Sequence, residues 1–400
     1  MTISPLSALP RVRMLGRHPQ GGPAPLFYTA AGFVCRFTGS ELHLHLNAGF
    51  TMYEPWLSVE LNGARIARFP VAAGESEICL FRGMTPGVPK TVRVLKDVQA
   101  MHDDPAHFVQ ITGLSAPDGE FLPLPEPACR LEFVGDSITS GEGALGAQCE
   151  EDWVSPFFSA VDHYARMTAD ALGADWRIVS QSGWGLLSSW DNDPHRRVMD
   201  FYDAVCGLAA GAHNKALGAQ QPYDFAAWPA DAVIINLGTN DEHALDNPPW
   251  TDPGTGIAYA QRPTPEHLAA LEQAAVDALK KLRRRNPGAL LVWAFGMLGE
   301  GRHGRGAARR RGPLYRRDRR RARSLPGTAR RHAPDAGRTP APRRGLPPPG
   351  RRRAGGLFAA TAGCRARGPG AITANSAFAD RSAKFPLDSL RRVWYRIGTS

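Results

Sequence analysis

The sequence predicts an α/β protein in which an N-terminal β-sandwich precedes a domain built on a parallel sheet. Three observations carry that expectation. Short alternating strands with turn signals run to about residue 125, a proline-rich connector follows, and beyond it strands alternate with helices. At 400 residues the chain also exceeds the length at which one hydrophobic core stops growing, so two domains are expected. The hydrophobic fraction of 43% and charged fraction of 22% are those of a globular enzyme and exclude wholesale disorder.

The first part, 1–125, reads as all-β. Glu41-Leu42-His43-Leu44-His45-Leu46 alternates, so its leucines face a core and its histidines the other side. His43 and His45 are read as a solvated strand face, because no carboxylate or third histidine stands at a spacing that would join them on a metal. Trp56 to Leu61 alternates likewise and runs into Asn62-Gly63, the pair a type I′ hairpin turn favours, after which Ala64 to Val71 returns. Ile78 to Phe81, Thr91 to Leu95 and His107 to Leu114 complete the set.

Leu122-Pro-Leu-Pro-Glu-Pro127 is a stiff connector. In the second part, 128–300, Arg130 to Val134 is a strand entering a Gly-Asp-Ser turn. Ser155-Pro156 opens a helix that Gly173 closes. Trp176 to Ser180 and Ala232 to Leu237 are further strands, the latter apolar enough for burial on both faces. Thr264-Pro265-Glu266 starts a helix with Leu268, Leu271, Ala275, Leu279 and Leu282 on one stripe, ended by Asn286-Pro287-Gly288. Ala289 to Phe295 is a fourth, buried strand. The product is a parallel sheet covered by helices on both sides.

From Gly301 the pattern collapses. Between Gly301 and Arg353 there are 19 Arg, no Lys and two acids, a local charge of +17; against +10 for the whole chain, the remainder carries −7. The region 301–400 is therefore read as a low-complexity, Arg/Pro-rich segment, disordered or aberrant and not natively folded. A shifted reading frame of GC-rich coding sequence would yield this composition. Nucleic-acid binding through it is disfavoured, because Tyr315 is the only aromatic in the arginine-rich stretch and the rest of the chain is acidic.

No run of about 18 apolar residues occurs, and Met1 to Arg17 lacks the apolar core of a secretory signal, so neither a membrane span nor export is expected; the location expected is cytoplasmic. Six cysteines (Cys35, Cys79, Cys129, Cys149, Cys206, Cys364) lie at irregular spacing without C-x-x-C, which argues for buried thiols and against a zinc site or a disulfide framework. No metal or other cofactor is expected. The acidic loop Cys149 to Asp152 is read as solvated surface.

Three segments carry chemistry, each following a strand. They are Phe133 to Thr139 with Gly135-Asp136-Ser137, Ser180 to Gly185 with Gly183, and Leu237 to Asp241 with Gly238-Thr239-Asn240-Asp241. Parallel strands send these loops out at one sheet edge, so Ser137, Gly183 and Asn240 can meet although 46 and then 57 residues separate them. A hydroxyl with several converging N–H donors is what attack on an ester carbonyl requires. Trp184 and Trp190 flank the second loop, where an aromatic face can bind a sugar ring or line an acyl pocket, or else pack the core.

These three blocks together resemble the SGNH, or GDSL-type, hydrolases. The fuller string Gly-Asp-Ser-Ile-Thr-Ser-Gly-Glu-Gly after a β-sandwich is similar to carbohydrate esterase family two. The resemblance spans roughly residues 10–298. It implies a jelly-roll followed by a three-layer α/β/α hydrolase domain, and removal of O-acetyl groups from sugars by a metal-free serine esterase. It further implies Ser137 as nucleophile and an oxyanion hole of Ser137, Gly183 and Asn240. The family's Asp-x-x-His block does not occur after Phe295. Glu300-x-x-His303 has the spacing but stands too early. His332 stands at a suitable distance for the base, and some family members manage with a Ser–His pair. Without an ordered base the esterase would be impaired, and the rival reading is a non-catalytic carbohydrate-binding protein that keeps the cleft.

Overall fold

The computed structural model describes residues 2–19, 24–147 and 152–294. His332, the arginine-rich segment and Cys149 to Glu151 lie outside them. Ten strands come first: β1 (Arg13–Leu15), β2 (Ala24–Pro25), β3 (Gly32–Phe37), β4 (Leu42–Gly49), β5 (Trp56–Leu61), β6 (Ala64–Pro70), β7 (Gly74–Phe81), β8 (Lys90–Lys96), β9 (Phe108–Ser115) and β10 (Phe121–Leu122). They form two antiparallel sheets, β1-β3-β8-β5-β6 with β10 beside β3, and β2-β9-β4-β7. Alternate residues of both sheets, among them Phe33, Leu57 and Val94 from one and Leu44, Leu46 and Ile111 from the other, share one buried cluster. Asn62 and Gly63 turn the β5–β6 hairpin with positive φ at both positions, as expected.

The second half contributes β11 (Arg130–Gly135), α1 (Ser137–Ser140), α2 (Tyr164–Ala171), β12 (Asp175–Ser180), α3 (Val198–Phe201) and α4 (Ala212–Ala216). Next come β13 (Ala232–Asn236), α5 (Thr239–Ala244), β14 (Trp250–Thr251), β15 (Ala258–Tyr259), α6 (Pro265–Arg285) and β16 (Leu290–Trp293). The sheet β12-β11-β13-β16 is parallel throughout. Pleating sends Val134, Val233 and Ile235 to the face covered by the buried stripe of α6. Leu131, Phe133 and Ile178 point the other way, onto Ala165 and Ala169 of α2 and onto Leu15, Ala30, Val34 and Leu95 of the first half. One face of the parallel sheet is thus covered partly by the sandwich. Both halves lie in one compact unit. Among the described residues no helix is long and apolar enough to cross a membrane.

Three expectations need correction. The helix read from Ser155 to Gly173 exists only as α2; residues 155–157 form one tight turn and Phe158 is extended and buried. Side chains there take the backbone donors a helix would have used. Asp97 accepts from the Ala160 N–H at 2.9 Å, and Ser159 Oγ accepts from Val161 and Asp162. The second correction concerns His43, which is 4% exposed and lies between Glu41 and Glu77 rather than on a solvated face. Pairing of β4 with β7 supplies Glu77, and linear spacing cannot reveal a cross-strand partner. Third, β16 is not buried: Leu290 and Val292 are exposed on one face.

The halves are locked by a buried network. Arg17, fully buried, donates from Nε and Nη2 to Glu132 Oε1 at 3.1 and 2.8 Å, and from Nη1 to the Ala204 carbonyl at 3.0 Å. Its guanidinium lies 4.5 Å and 4.1 Å from the ring centres of Tyr202 and Tyr223. Tyr202 donates to the second Glu132 oxygen at 2.5 Å, and Asn286, at the end of α6, donates to Tyr202 at 2.9 Å. Arg17→Met strands the Glu132 charge in the core, so it should cost about 3–5 kcal/mol in urea denaturation. Adding Glu132→Gln should recover part of that loss; no recovery would mean that packing, not charge, dominates.

Candidate active site

The site begins with strand ends that stop level. Gly135 pairs with Ser180 of β12 on one side and Asn236 of β13 on the other, so three loops leave the sheet together. At Gly135 the chain turns too tightly for a side chain, since a Cβ would sit 2.0 Å from Thr139 Oγ1. Asp136 then caps α1, its Oδ1 accepting from the Ile138 N–H at 3.1 Å. This places Ser137 at the first position of α1, half-buried.

The second loop carries Gly183 at φ +77°, where a Cβ would also meet Trp190 Cδ1 at 2.9 Å. Trp190 therefore lies against Gly183, and its backbone N–H donates to the Gly183 carbonyl at 2.9 Å. Trp190 is 49% exposed. Trp184 is different: its ring packs edge-on against Phe201 and His102, at 5.5 and 5.3 Å between centres. Of the two tryptophans, Trp190 offers the open aromatic face and Trp184 serves packing.

The third loop is tied to the second. Asn240 donates from Nδ2 to the Trp184 carbonyl at 3.0 Å, which leaves its other amide hydrogen for a further acceptor. Asp241, fully buried, accepts from the N–H groups of Leu186 and Leu187, both at 2.8 Å. Within the first loop the Glu142 N–H donates to the Ser137 carbonyl at 3.1 Å. The loop reaches the second segment through the Ser140 hydroxyl, which donates to Ser180 Oγ at 2.9 Å, and through the Gln181 N–H, which donates to the Gly135 carbonyl at 3.2 Å. The structure thus brings Ser137, Gly183 and Asn240 to one end of the sheet and joins their loops directly.

Three residues escaped sequence reasoning. Gln99, buried in the loop between β8 and β9, accepts at Oε1 from both the N–H and the hydroxyl of Ser182, each at 2.8 Å. His102 of the same loop lies 3.3 Å from the Gln181 amide. Glu142 accepts from Trp153 Nε1 at 3.0 Å, and Trp153 packs edge-on against Tyr53 at 5.1 Å. Eighty-three residues separate Gln99 from Ser182, and no motif marks the pair. Only the Glu in Gly141-Glu142-Gly143, so near Ser137, was open to suspicion from the sequence.

Burial governs the electrostatics. The Asp136 carboxyl is pushed up to about 7 by burial, with the Asp241 and Glu142 carboxyls adding to the rise. Asp241 and Glu142 are raised as well, again first by burial. A half-buried serine at one end of a parallel sheet, with N–H-bearing loops leaving the same end, has the parts that attack on a carbonyl requires.

The chain is 42% identical to a solved acetyl xylan esterase, Est2A, from the rumen bacterium Butyrivibrio proteoclasticus. The match covers 75% of this chain and 82% of that one, with a TM-score of 0.73. A family two carbohydrate esterase from Clostridium thermocellum, solved in complex with cellohexaose, shares the fold at 23% identity and TM-score 0.57, over 72% of this chain and 79% of that one. Cellulase/esterase CelE of Acetivibrio thermocellus is 29% identical over 206 residues, 51% of this chain; the match spans 23% of that curated relative's length. No family model matches the chain.

Gln99→Leu removes the acceptor that holds Ser182. Amide exchange at Ser182 and Gly183 should then accelerate about tenfold, the equivalent of one lost hydrogen bond, and an unchanged rate would show that the loop holds itself. For Asp136 the sign follows from a folded-state value above the ordinary 3.8. The folded state binds the extra proton, so this group's contribution to stability falls as pH rises from about 4 to about 7. Asp136→Asn keeps the cap without the charge. Its stability relative to wild type should climb across that window and then level off, as followed by denaturation at each pH.

Proposed function

The chain belongs to carbohydrate esterase family two, and from that premise we propose that it is a serine esterase that removes O-acetyl groups from carbohydrates or hydrolyses similar small esters. One observation carries the reading: the segments bearing Ser137, Gly183 and Asn240 leave the sheet at a single end, tied by Asn240 to Trp184 and by Ser140 to Ser180. In this reading Ser137 Oγ attacks the acyl carbonyl. The oxyanion is received by the N–H groups of Ser137 and Gly183 and by the free amide hydrogen of Asn240. The sugar alkoxide leaves with a proton, and water then cleaves the acyl-enzyme. His332 is the proposed base for both steps. The sandwich is read as a jelly-roll and the second half as a three-layer α/β/α domain, and the exposed face of Trp190 as a surface for the sugar ring.

The rival reading, a carbohydrate-binding protein without turnover, draws on the same Trp190 face and on the absence of Asp-x-x-His after Phe295. Hydrolysis of p-nitrophenyl acetate and of acetylated xylo-oligosaccharides separates the two. The expected result is activity that falls at least about a thousandfold in Ser137→Ala and comparably in His332→Ala. Retention of the oligosaccharide with no release of acetate by either wild type or Ser137→Ala would establish the rival.

A further inference from the structure

A second cluster of reactive side chains lies on the sandwich. Strands β4 and β7 pair antiparallel, and His43 stands directly opposite Cys79. The register shifts between Leu42 and His43, an irregularity of the kind that re-aims side chains. Leu42 and Leu44 are buried in the sandwich core, so His43 points to the other face, with Glu41 two residues before it. Ligand atoms of Glu41, His43 and Cys79 all lie within 4.8 Å of one another.

The two nitrogens of His43 are differently occupied. Nε2 faces Glu41 Oε1 at 2.5 Å, and Nδ1 lies 2.7 Å from Glu77 Oε1. A metal-bound histidine is characteristically oriented by a carboxylate near its other nitrogen, and Glu77 lies on that side as an ion-pair partner whose contact with Nδ1 lacks hydrogen-bond alignment. The ring itself is buried and held in place, whereas Cys79 is exposed. Among the described cysteines the other three, Cys35, Cys129 and Cys206, are buried. The cluster therefore has a fixed nitrogen ligand, an anionic oxygen, an accessible sulfur and an open side for entry.

We propose that Glu41, His43 and Cys79 bind a zinc ion on the outer face of the β2-β9-β4-β7 sheet, with Glu77 orienting the His43 ring. Mixed nitrogen, oxygen and sulfur donors suit zinc, and three protein ligands leave a fourth position for water. Binding releases the thiol proton of Cys79 to solvent, so that Zn²⁺ meets a thiolate, the Glu41 carboxylate and a neutral His43 nitrogen. Arg82 donates to Glu41 Oε1 at 2.8 Å from a side chain 67% exposed. It can stay on that oxygen while the other takes the metal, or withdraw into water.

The test is zinc titration of the untagged, full chain against a chromophoric chelator, repeated with Co²⁺ as a spectroscopic probe. One zinc per chain is expected, together with a near-ultraviolet sulfur-to-cobalt absorption band. Cys79→Ser, at an exposed position, should abolish the band and weaken zinc binding at least tenfold. Glu77→Gln should weaken it about tenfold while keeping the band. Absence of stoichiometric zinc, or zinc binding and a band that both survive Cys79→Ser, would overturn the proposal. In that event Glu41, His43 and Glu77 form only a carboxylate–imidazole ion-pair cluster.

Discussion

The buried pairing of Arg17 with Glu132 is the constraint on which the remaining architecture depends. A carboxylate in the middle of the central parallel strand is tolerable only if a charge and hydrogen bonds meet it there. Arg17 meets one oxygen and Tyr202 the other. Arg17 belongs to the segment after β1, Tyr202 follows α3, and Asn286 ends α6. Satisfying one charge therefore sets where the sandwich, the sheet and the long helix sit. The strand that carries Glu132 also delivers Ser137 five residues later, so the same network holds the strand that presents Ser137 in place.

The sandwich takes part in the site as well as in the packing. Its residues cover one face of the parallel sheet, and its Gln99 grips the Ser182 turn that presents Gly183. On the other side Asp241 gathers the amides after Gly185, so the Gly183 loop is fixed at both ends. Such a loop can offer its N–H group with little reorganisation to any charge that develops beside it. Burying Asp136 and Asp241 to achieve this raises both carboxyls, a cost borne for geometry.

Most individual elements were legible in advance. Alternation placed β4, β5, β6 and β9, Asn62-Gly63 placed their hairpin, and the apolar stripe with Thr264-Pro265 placed α6. Local patterns work there because each residue answers to its own neighbours in the chain. The helix read after Ser155 failed where Asp97, sixty-three residues earlier, captured the Ala160 N–H. His43 failed for the same reason, its partner Glu77 arriving across strands. The two tryptophans of the second loop had identical prospects in the sequence, and only their packing separated Trp184, wedged between His102 and Phe201, from the open Trp190.

By itself the sequence determined the order of elements, the three loops that carry Ser137, Gly183 and Asn240, and the family those loops resemble. Strand polarity and turn chemistry are local, and parallel strands have no choice but to bring successive loops to one edge. Tertiary structure alone decided which distant side chains complete the arrangement: Arg17 on Glu132, Gln99 on Ser182, Asn240 on the Trp184 carbonyl and Cys79 opposite His43. The first three are polar pairings between groups far apart in the chain, and the last is a strand register. Each polar pairing is imposed by the need to satisfy every donor and charge removed from water, a demand that exists only once the chain has folded.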